Sequence, residues 1–381
     1  MKKMLIVAGK IYGGGAERVL VDLINGLDES EYDITLYTIS KDNFEKSGIE
    51  RTVEYRTVYS DVSQFGGIKK IVCKLRNKIL YEVYKRCSAR TFYKRAIKGK
   101  YDVELAAIEG YTTRIVSGST NPDSKKIAWL HTDLVTNHWS KIAFKNDAEE
   151  AAAYRSFDKV ICVTENVRRI LLDKFGSDMN TVVISNPIKK DSILSLSRMG
   201  ECEIPKSPDV MRVVFLGRLQ EEKGADRLLE AHNRLINEGK KVELFVIGDG
   251  CDMDKIHGYV EENNLSGSVH LFGYLDNPYI NMKTADLFVC PSRAEGFGLV
   301  LVEAMLLDLP VVSTSCAGPN EILDGGKYGL IVENSTEGIY NGIKTFVDEP
   351  ELLKKYADLS ALRREDYDYT KAIDKFKEIF S

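Results

Sequence analysis

The stretch Asp286-Leu287-Phe288-Val289-Cys290-Pro291-Ser292, followed closely by Glu295-Gly296-Phe297-Gly298-Leu299-Val300-Leu301-Val302-Glu303, carries the reading of the fold. The apolar run before Pro291 is short and continuous, as in a strand buried on both faces of a parallel sheet. Gly298 to Leu307 reads as the helix that follows it. Gly296 and Gly298 leave room for a ligand at the helix N-terminus, where unpaired N–H groups favour an anion. Glu295 and Glu303 bracket seven residues around that turn. Carboxylates accept hydrogen bonds from hydroxyls, so the pair suits a ligand with hydroxyls on both sides of a phosphate.

Working outward, strand and helix signals alternate along nearly the whole chain. Met4 to Ala8 reads as a strand, and Ala16 to Leu27 as a helix with Val19, Leu20, Leu23 and Ile24 on one face. Further strands are expected at 33–38, 103–108, 126–130 and 159–163. A second series is expected at 212–216, 242–247, 269–272, 287–290 and 311–313. This alternation predicts an α/β protein with parallel sheets covered on both faces. Asn186-Pro187 and the stretch Glu201 to Pro208 break the pattern. The expected organisation is a domain over 1–190, a second over 191–361, and a helical tail over 362–381.

Length agrees with two domains, since 381 residues exceed one ordinary core. Hydrophobic residues at 44% and charged residues at 29% fit a globular protein. The N-terminus has too short an apolar run for a signal peptide, and no stretch approaches the length of a membrane span. A cytoplasmic protein is therefore expected. Its seven cysteines form no CxxC pair and read as reduced core thiols, with no structural zinc site. The net charge of −4 is unevenly spread. Residues 1–190 hold 32 Lys and Arg against 24 Asp and Glu, a net of +8; the remainder is −12. Between Lys69 and Lys100, twelve cations face one acid, Glu82. Such a segment suits an anionic membrane surface, an acidic substrate or RNA, or is only a solvated helix.

Several constellations fall at predicted strand ends. Gly13-Gly14-Gly15-Ala16-Glu17-Arg18 can cradle a phosphate or pack against a sugar, or is merely a flexible turn. Arg18 stands where a dinucleotide fingerprint needs glycine, which argues against NAD. Gly217-Arg218 and Lys223-Gly224 follow the first strand of the second half. Arg218 and Lys223 can reach one point above it, matching a diphosphate, unless both are solvated. His131 ends a strand at Trp129-Leu130, at the carboxyl lip, where it meets a ligand or is only structural. Gly248-Asp249-Gly250 closes another strand in a tight turn. Ribose, diphosphate and hexose, the layout of a nucleotide sugar, would satisfy the set.

Together these motifs resemble the retaining glycosyltransferases of GT-B fold, family 4, also called glycosyl transferases group 1. The resemblance covers nearly the whole chain and is strongest from Arg212 to Leu323. It implies two doubly wound Rossmann-like domains facing across a cleft, with a C-terminal helix crossing back to the first. It also implies roles at matching positions. Arg218 and Lys223 would bind the donor diphosphate, Glu295 the donor sugar's hydroxyls and Glu303 the ribose. Gly217, Gly248 and the backbone of Phe297, Gly298 and Leu299 would line the donor site. Gly14 and Gly15 would meet the donor from the first domain, and His131 the transferring sugar. No cofactor or catalytic metal is implied. The pairs Asp252-Met253-Asp254 and Asp366-Tyr367-Asp368 read as solvated helix charges away from strand ends.

The expected reaction moves a sugar from a nucleotide diphosphate, UDP before GDP, to a saccharide acceptor with retention. No carboxylate presents itself as a nucleophile, so same-face attack is expected, with the leaving phosphate oxygen taking the acceptor's proton. The resemblance is to bacterial enzymes of capsular, exopolysaccharide or lipid-linked oligosaccharide assembly. It suggests an undecaprenyl-diphosphate-linked acceptor and a peripheral position on the inner membrane face through Lys69 to Lys100. Nucleic acid is not an expected partner. A nucleotide-sugar 2-epimerase, or a non-catalytic nucleotide-sugar scaffold, would share the binding residues.

Overall fold

The computed structural model describes residues 1–42, 44–62, 65–204 and 209–381. The last four residues of the pattern-breaking stretch, 205–208, lie outside the described residues. The chain divides into two compact units. One comprises Met1–Ile188 with Tyr369–Ser381, the other Lys189–Asp368.

The first unit is built on seven parallel strands: β1 (Lys2–Ala8), β2 (Tyr32–Thr38), β3 (Glu54–Thr57), β4 (Val103–Ala106), β5 (Lys125–Leu130), β6 (Lys159–Cys162) and β7 (Thr181–Val183). Their order is β3-β2-β1-β4-β5-β6-β7. Strand β1 carries Met4 to Ala8 at no more than 1% exposure, as expected of an interior strand covered on both faces. Helix Gly15–Gly26 buries Val19, Leu20, Leu23 and Ile24 on it, the stripe that the periodicity requires.

The second unit has six parallel strands: β8 (Met211–Leu216), β9 (Val242–Ile247), β10 (Val269–Gly273), β11 (Leu287–Cys290), β12 (Val311–Thr314) and β13 (Leu330–Val332). Their order, β10-β9-β8-β11-β12-β13, repeats that of the first sheet's first six strands.

The final helix, Tyr369–Phe380, belongs to the first unit. It buries Ala372, Ile373, Phe376 and Phe380 on one face. Phe376 meets Trp129 edge-on at 4.7 Å, and the Tyr369 hydroxyl donates to the Asp22 carbonyl at 2.8 Å. Among the described residues, no helix is long and apolar enough to cross a membrane.

Cysteine reading needs a correction. All seven are free thiols and four are buried, but Cys202 and Cys251 are exposed, because both sit in loops rather than in strands.

Candidate active site

In each sheet the strand order reverses beside its first strand, between β1 and β4 and between β8 and β11. Open parallel sheets present a crevice there, outside the carboxyl ends of the strands. Most of the candidate residues lie on the loops that leave those four ends.

In the second unit, the loops after β8 and β9 are joined through their backbones. Gly217 N–H donates to the Ile247 carbonyl at 3.1 Å, and Leu219 N–H to the Asp249 carbonyl at 2.9 Å. Gly248 has φ of 138°, and a Cβ there would lie 1.9 Å from the Gly217 carbonyl oxygen. Backbone cannot yield as a side chain can, so only glycine fits this crossing.

Lys223 ends a short 3-10 turn on the same loop. Its Nζ donates to Glu295 Oε2 at 2.8 Å, and the two side chains are 20% and 15% exposed. Glu222 adds a carboxylate at 4.0 Å. Burial works to lower the Lys223 pKa, but the attraction and hydrogen bond of Glu295, with help from Glu222, hold it above the ordinary lysine range. The ammonium is therefore a fixed charge resting on Glu295. Arg218, by contrast, is exposed and its side chain engages no described residue.

The loop carrying Glu295 is tied down at Pro291, Ser292, Arg293 and Glu295. The Arg227 guanidinium donates to the Pro291 carbonyl at 2.6 Å, and the Thr314 hydroxyl to the Ser292 carbonyl at 2.6 Å. Arg293 N–H reaches the Glu222 carbonyl at 2.7 Å, and its guanidinium grips both Asp226 oxygens at 2.7 and 2.6 Å. Asn334 donates to the Arg293 carbonyl at 3.0 Å, and Gly318 N–H to the Glu295 carbonyl at 2.9 Å. These contacts lock the Glu295 loop onto the Lys223 loop. Sequence reasoning missed Arg227, Asp226, Thr314 and Asn334, because each acts on a partner 20 or more residues away with no local motif.

Beyond the loop, Gly298 adopts a left-handed conformation (φ 94°) at the N-cap of helix Leu299–Leu306. The first amides of any helix lack an intrahelical acceptor, so this turn can receive an anion. Phe297 is buried and meets Tyr367 edge-on at 6.4 Å. Glu303, in the second turn of that helix, is only 1% exposed. A ligand hydroxyl would have to come to it inside the unit.

The first unit arranges its site differently. Gly14 is the extended N-cap of helix Gly15–Gly26, and the Glu17 carboxylate folds back over it, 2.2 Å from where a Cβ would stand. The preceding loop hangs on Asp42, whose carboxylate accepts from the Ile11 and Tyr12 amides at 2.5 and 3.2 Å. His131 directly follows β5 and is 9% exposed. Its Nε2 lies 3.1 Å from the Ala107 carbonyl, which can only accept, so Nε2 carries the proton and Nδ1 keeps a lone pair. Burial pushes the imidazole below its usual range, against the pull of Glu109. It is a neutral group.

Glu109, which the sequence reading did not single out, organises this loop. Fully buried after β4, it accepts from His131 N–H at 3.0 Å, the Thr132 hydroxyl at 2.8 Å and the Trp139 indole at 2.8 Å.

Three further groupings carry acidic residues. Asp252 is the N-cap of helix Met253–Glu262, and its N–H meets the Leu219 carbonyl at 3.0 Å. It therefore sits beside a strand-end loop rather than away from one, because β9 turns straight into that helix; it is engaged by Lys255 at 3.0 Å. Asp366 closes a 3-10 turn and pairs with Arg363, and Asp368 lies outside any helix. In the first unit, His138, Asp147 and Glu150 place ligand-type atoms within 4.8 Å of one another. Their partners are internal: Glu150 accepts from His138 and Ser140, each at 2.6 Å, and Asp147 pairs with Lys174 at 3.2 Å.

With this geometry in hand, the chain can be set beside known proteins. Residues 13–192 match the model of Glycosyltransferase Family 4, and residues 203–361 that of Glycosyl transferases group 1. An uncharacterized glycosyltransferase of Haemophilus influenzae is 23% identical over 370 residues, spanning 96% of each chain. A Campylobacter jejuni enzyme named N-acetylgalactosamine-N,N'-diacetylbacillosaminyl-diphospho-undecaprenol 4-alpha-N-acetylgalactosaminyltransferase is 30% identical over 161 residues, 42% of this chain and 43% of that one. Among solved structures, Anabaena HepE in complex with UDP and glucose superposes with a TM-score of 0.75 at 18% identity, covering 99% of both chains.

Proposed function

The chain belongs to the glycosyl transferases group 1 and has the GT-B fold, and from that membership we propose that it moves a hexosyl group from a UDP-sugar to a saccharide acceptor with retention of configuration. The observation that carries this reading is the Lys223–Glu295 pair, set where the second sheet reverses its strand order. A cation resting on its own carboxylate is poised for exchange: a diphosphate takes the ammonium, and the carboxylate turns to sugar hydroxyls. The UDP and glucose bound to HepE support the choice of donor.

Breaking the anomeric C–O bond builds negative charge on the departing diphosphate. Lys223, Arg218 and the amides at Gly298 and Leu299 stabilise that charge. Gly217 and Gly248 keep side chains out of the donor site, Phe297 backs the Gly298 turn, and Glu303 takes the ribose. His131, neutral with a free Nδ1 lone pair, accepts from a hydroxyl of the transferring sugar, and Gly14 and Gly15 let that sugar approach their backbone. The acceptor oxygen attacks on the face the diphosphate leaves, and its proton passes to the leaving phosphate oxygen. No metal or other cofactor takes part, so EDTA leaves the rate unchanged.

The acceptor is read as an undecaprenyl-diphosphate-linked saccharide of polysaccharide or glycan assembly, a reading supported by the name of the Campylobacter relative. The chain then works in the cytoplasm at the inner membrane face, where the cations from Lys69 to Lys100 meet anionic headgroups. A thermal-shift panel of UDP-, GDP- and ADP-sugars tests the donor. Stabilisation by a UDP-sugar is expected, with transfer lost in Glu295→Ala. No shift with any nucleotide sugar, or full transfer by a folded Glu295→Ala, overturns the reading.

A further inference from the structure

Helix Gly67–Arg86 has two apolar faces. One packs inward through Cys73, Leu80, Val83 and Tyr84. The rotation of the helix is fixed on that side. The Tyr84 hydroxyl donates to the Ala143 carbonyl at 3.1 Å, the buried Arg114 donates to the Tyr84 and Cys87 carbonyls at 2.7 and 3.2 Å, and Asn77 donates to the Ser60 carbonyl at 2.7 Å. Turned outward instead are Ile68, Ile71, Val72, Leu75 and Ile79, from 81% down to 54% exposed. At about 100° per residue these five form a continuous ridge roughly opposite the packed face. Five large aliphatics left in water on one helix are not ordinary surface scatter.

Charge identifies the occupant. Lys69 and Arg76 fall on one flank of the ridge, Arg76 donating to the Ser60 hydroxyl at 2.7 Å, and Lys70, Lys74 and Lys78 fall on the other; Glu82, paired with Arg86 at 2.9 Å, closes its C-terminal end. A shallow depression of about 370 Å³ lies on the same face, lined by Leu75 and Ile79 together with Lys78, Glu82 and Arg86. A second copy of this chain would set lysine rows against lysine rows, which like-charge repulsion opposes. An anionic phospholipid surface satisfies both parts at once. Aliphatic side chains enter the acyl boundary while lysine stems snorkel to the headgroups.

We propose that the outward ridge Ile68-Ile71-Val72-Leu75-Ile79 inserts into an anionic bilayer, with its flanking lysines on the lipid phosphates. This deepens the membrane reading above and rests on it for the role of the cations. Its test reads vesicle binding alone, so its failure is separate from any failure of sugar transfer. The full chain is sedimented with phosphatidylglycerol-containing vesicles and with pure phosphatidylcholine vesicles, at low and at high salt. Binding to the anionic vesicles is expected, with a fraction surviving high salt. Ile71→Ser/Leu75→Ser/Ile79→Ser should weaken binding at least tenfold at low salt and abolish the salt-resistant fraction. Leu75→Trp, a milder change, should show blue-shifted emission with anionic vesicles. Wild-type binding by the triple variant, no blue shift, or no binding to either vesicle overturns the proposal. So does a wild-type dimer in sedimentation velocity that the triple variant dissolves.

Discussion

Six strands of each unit share one order, yet the two units furnish the crevice beside the first strand by different means. The second cross-ties three loops: glycine lets the β8 and β9 loops touch backbone to backbone, and Arg227, Arg293, Thr314 and Asn334 bind the Glu295 loop to the elements around it. The first uses single carboxylates: Glu109 gathers three donors under His131 and Asp42 holds the loop before helix Gly15–Gly26, with open space beside Gly13. A frame of fixed amides and one fixed cation suits a diphosphate, whose charge is the same for every donor. A frame that hangs on one or two carboxylates can be re-cut for different partners while the sheet stays intact. Under the proposed function, the second unit would hold the chemistry shared by all donors and the first the partner-specific part.

The largest expected effect lies in the second unit. Lys223→Ala should lower transfer about 10²–10³-fold, the scale for losing one charge-stabilising group, and UDP release kinetics measure it. A drop smaller than threefold would move the diphosphate's cation elsewhere. Next, Gly248→Ala should cost about 2–4 kcal/mol in a denaturant melt, because its Cβ would meet backbone. Gly13→Ala has a similarly positive φ of 102° but nothing within 4 Å, and should cost only about 1 kcal/mol. Equal costs would erase the distinction between a closed and an open loop.

Acid provides a third handle. Burial, helped by neighbouring His270, brings the His232 pKa down to about 4 from an ordinary 6.5. The unfolded chain binds this proton first, so stability is full above pH 6.5 and is lost as pH falls toward 4. Over that window the loss reaches about 3 kcal/mol, at 1.36 kcal/mol per unit. His232→Gln should flatten that part of the stability profile; an unchanged slope would remove His232 as its source. Smallest is Glu109→Gln, which exchanges one acceptor oxygen for a donor amide and should cost about 1–2 kcal/mol. It should lower kcat while leaving the donor-induced thermal shift intact. A lost shift would mean that Glu109 supports the donor frame as well.

Much of the fold was legible, for physical reasons visible at particular residues. Pro291 after a buried run and Gly298 before a helix punctuate a strand-loop-helix unit that few alternatives satisfy. The stripe Ala372, Ile373, Phe376 and Phe380 made the last helix amphipathic, and its place in the first unit follows from Trp129 and Asp22. What stayed hidden was pairing across distance. Nothing local says that Lys223 rests on Glu295, that Asp42 holds the amides of Ile11 and Tyr12, or that Glu109 is a hub; a buried carboxylate looks in sequence like any surface acid. The ridge on helix Gly67–Arg86 was masked for another reason. Two apolar faces on one helix blur the periodic signal, so the segment reads as basic and amphipathic without showing which aliphatics face out.

Calorimetric titration of UDP into wild-type chain and into Lys223→Ala tests the central claim most directly. One site per chain is predicted, with affinity at least tenfold weaker in the variant. Heat-free titration of the wild type, or equal affinity in the two proteins, would contradict a diphosphate held by the second unit's cation.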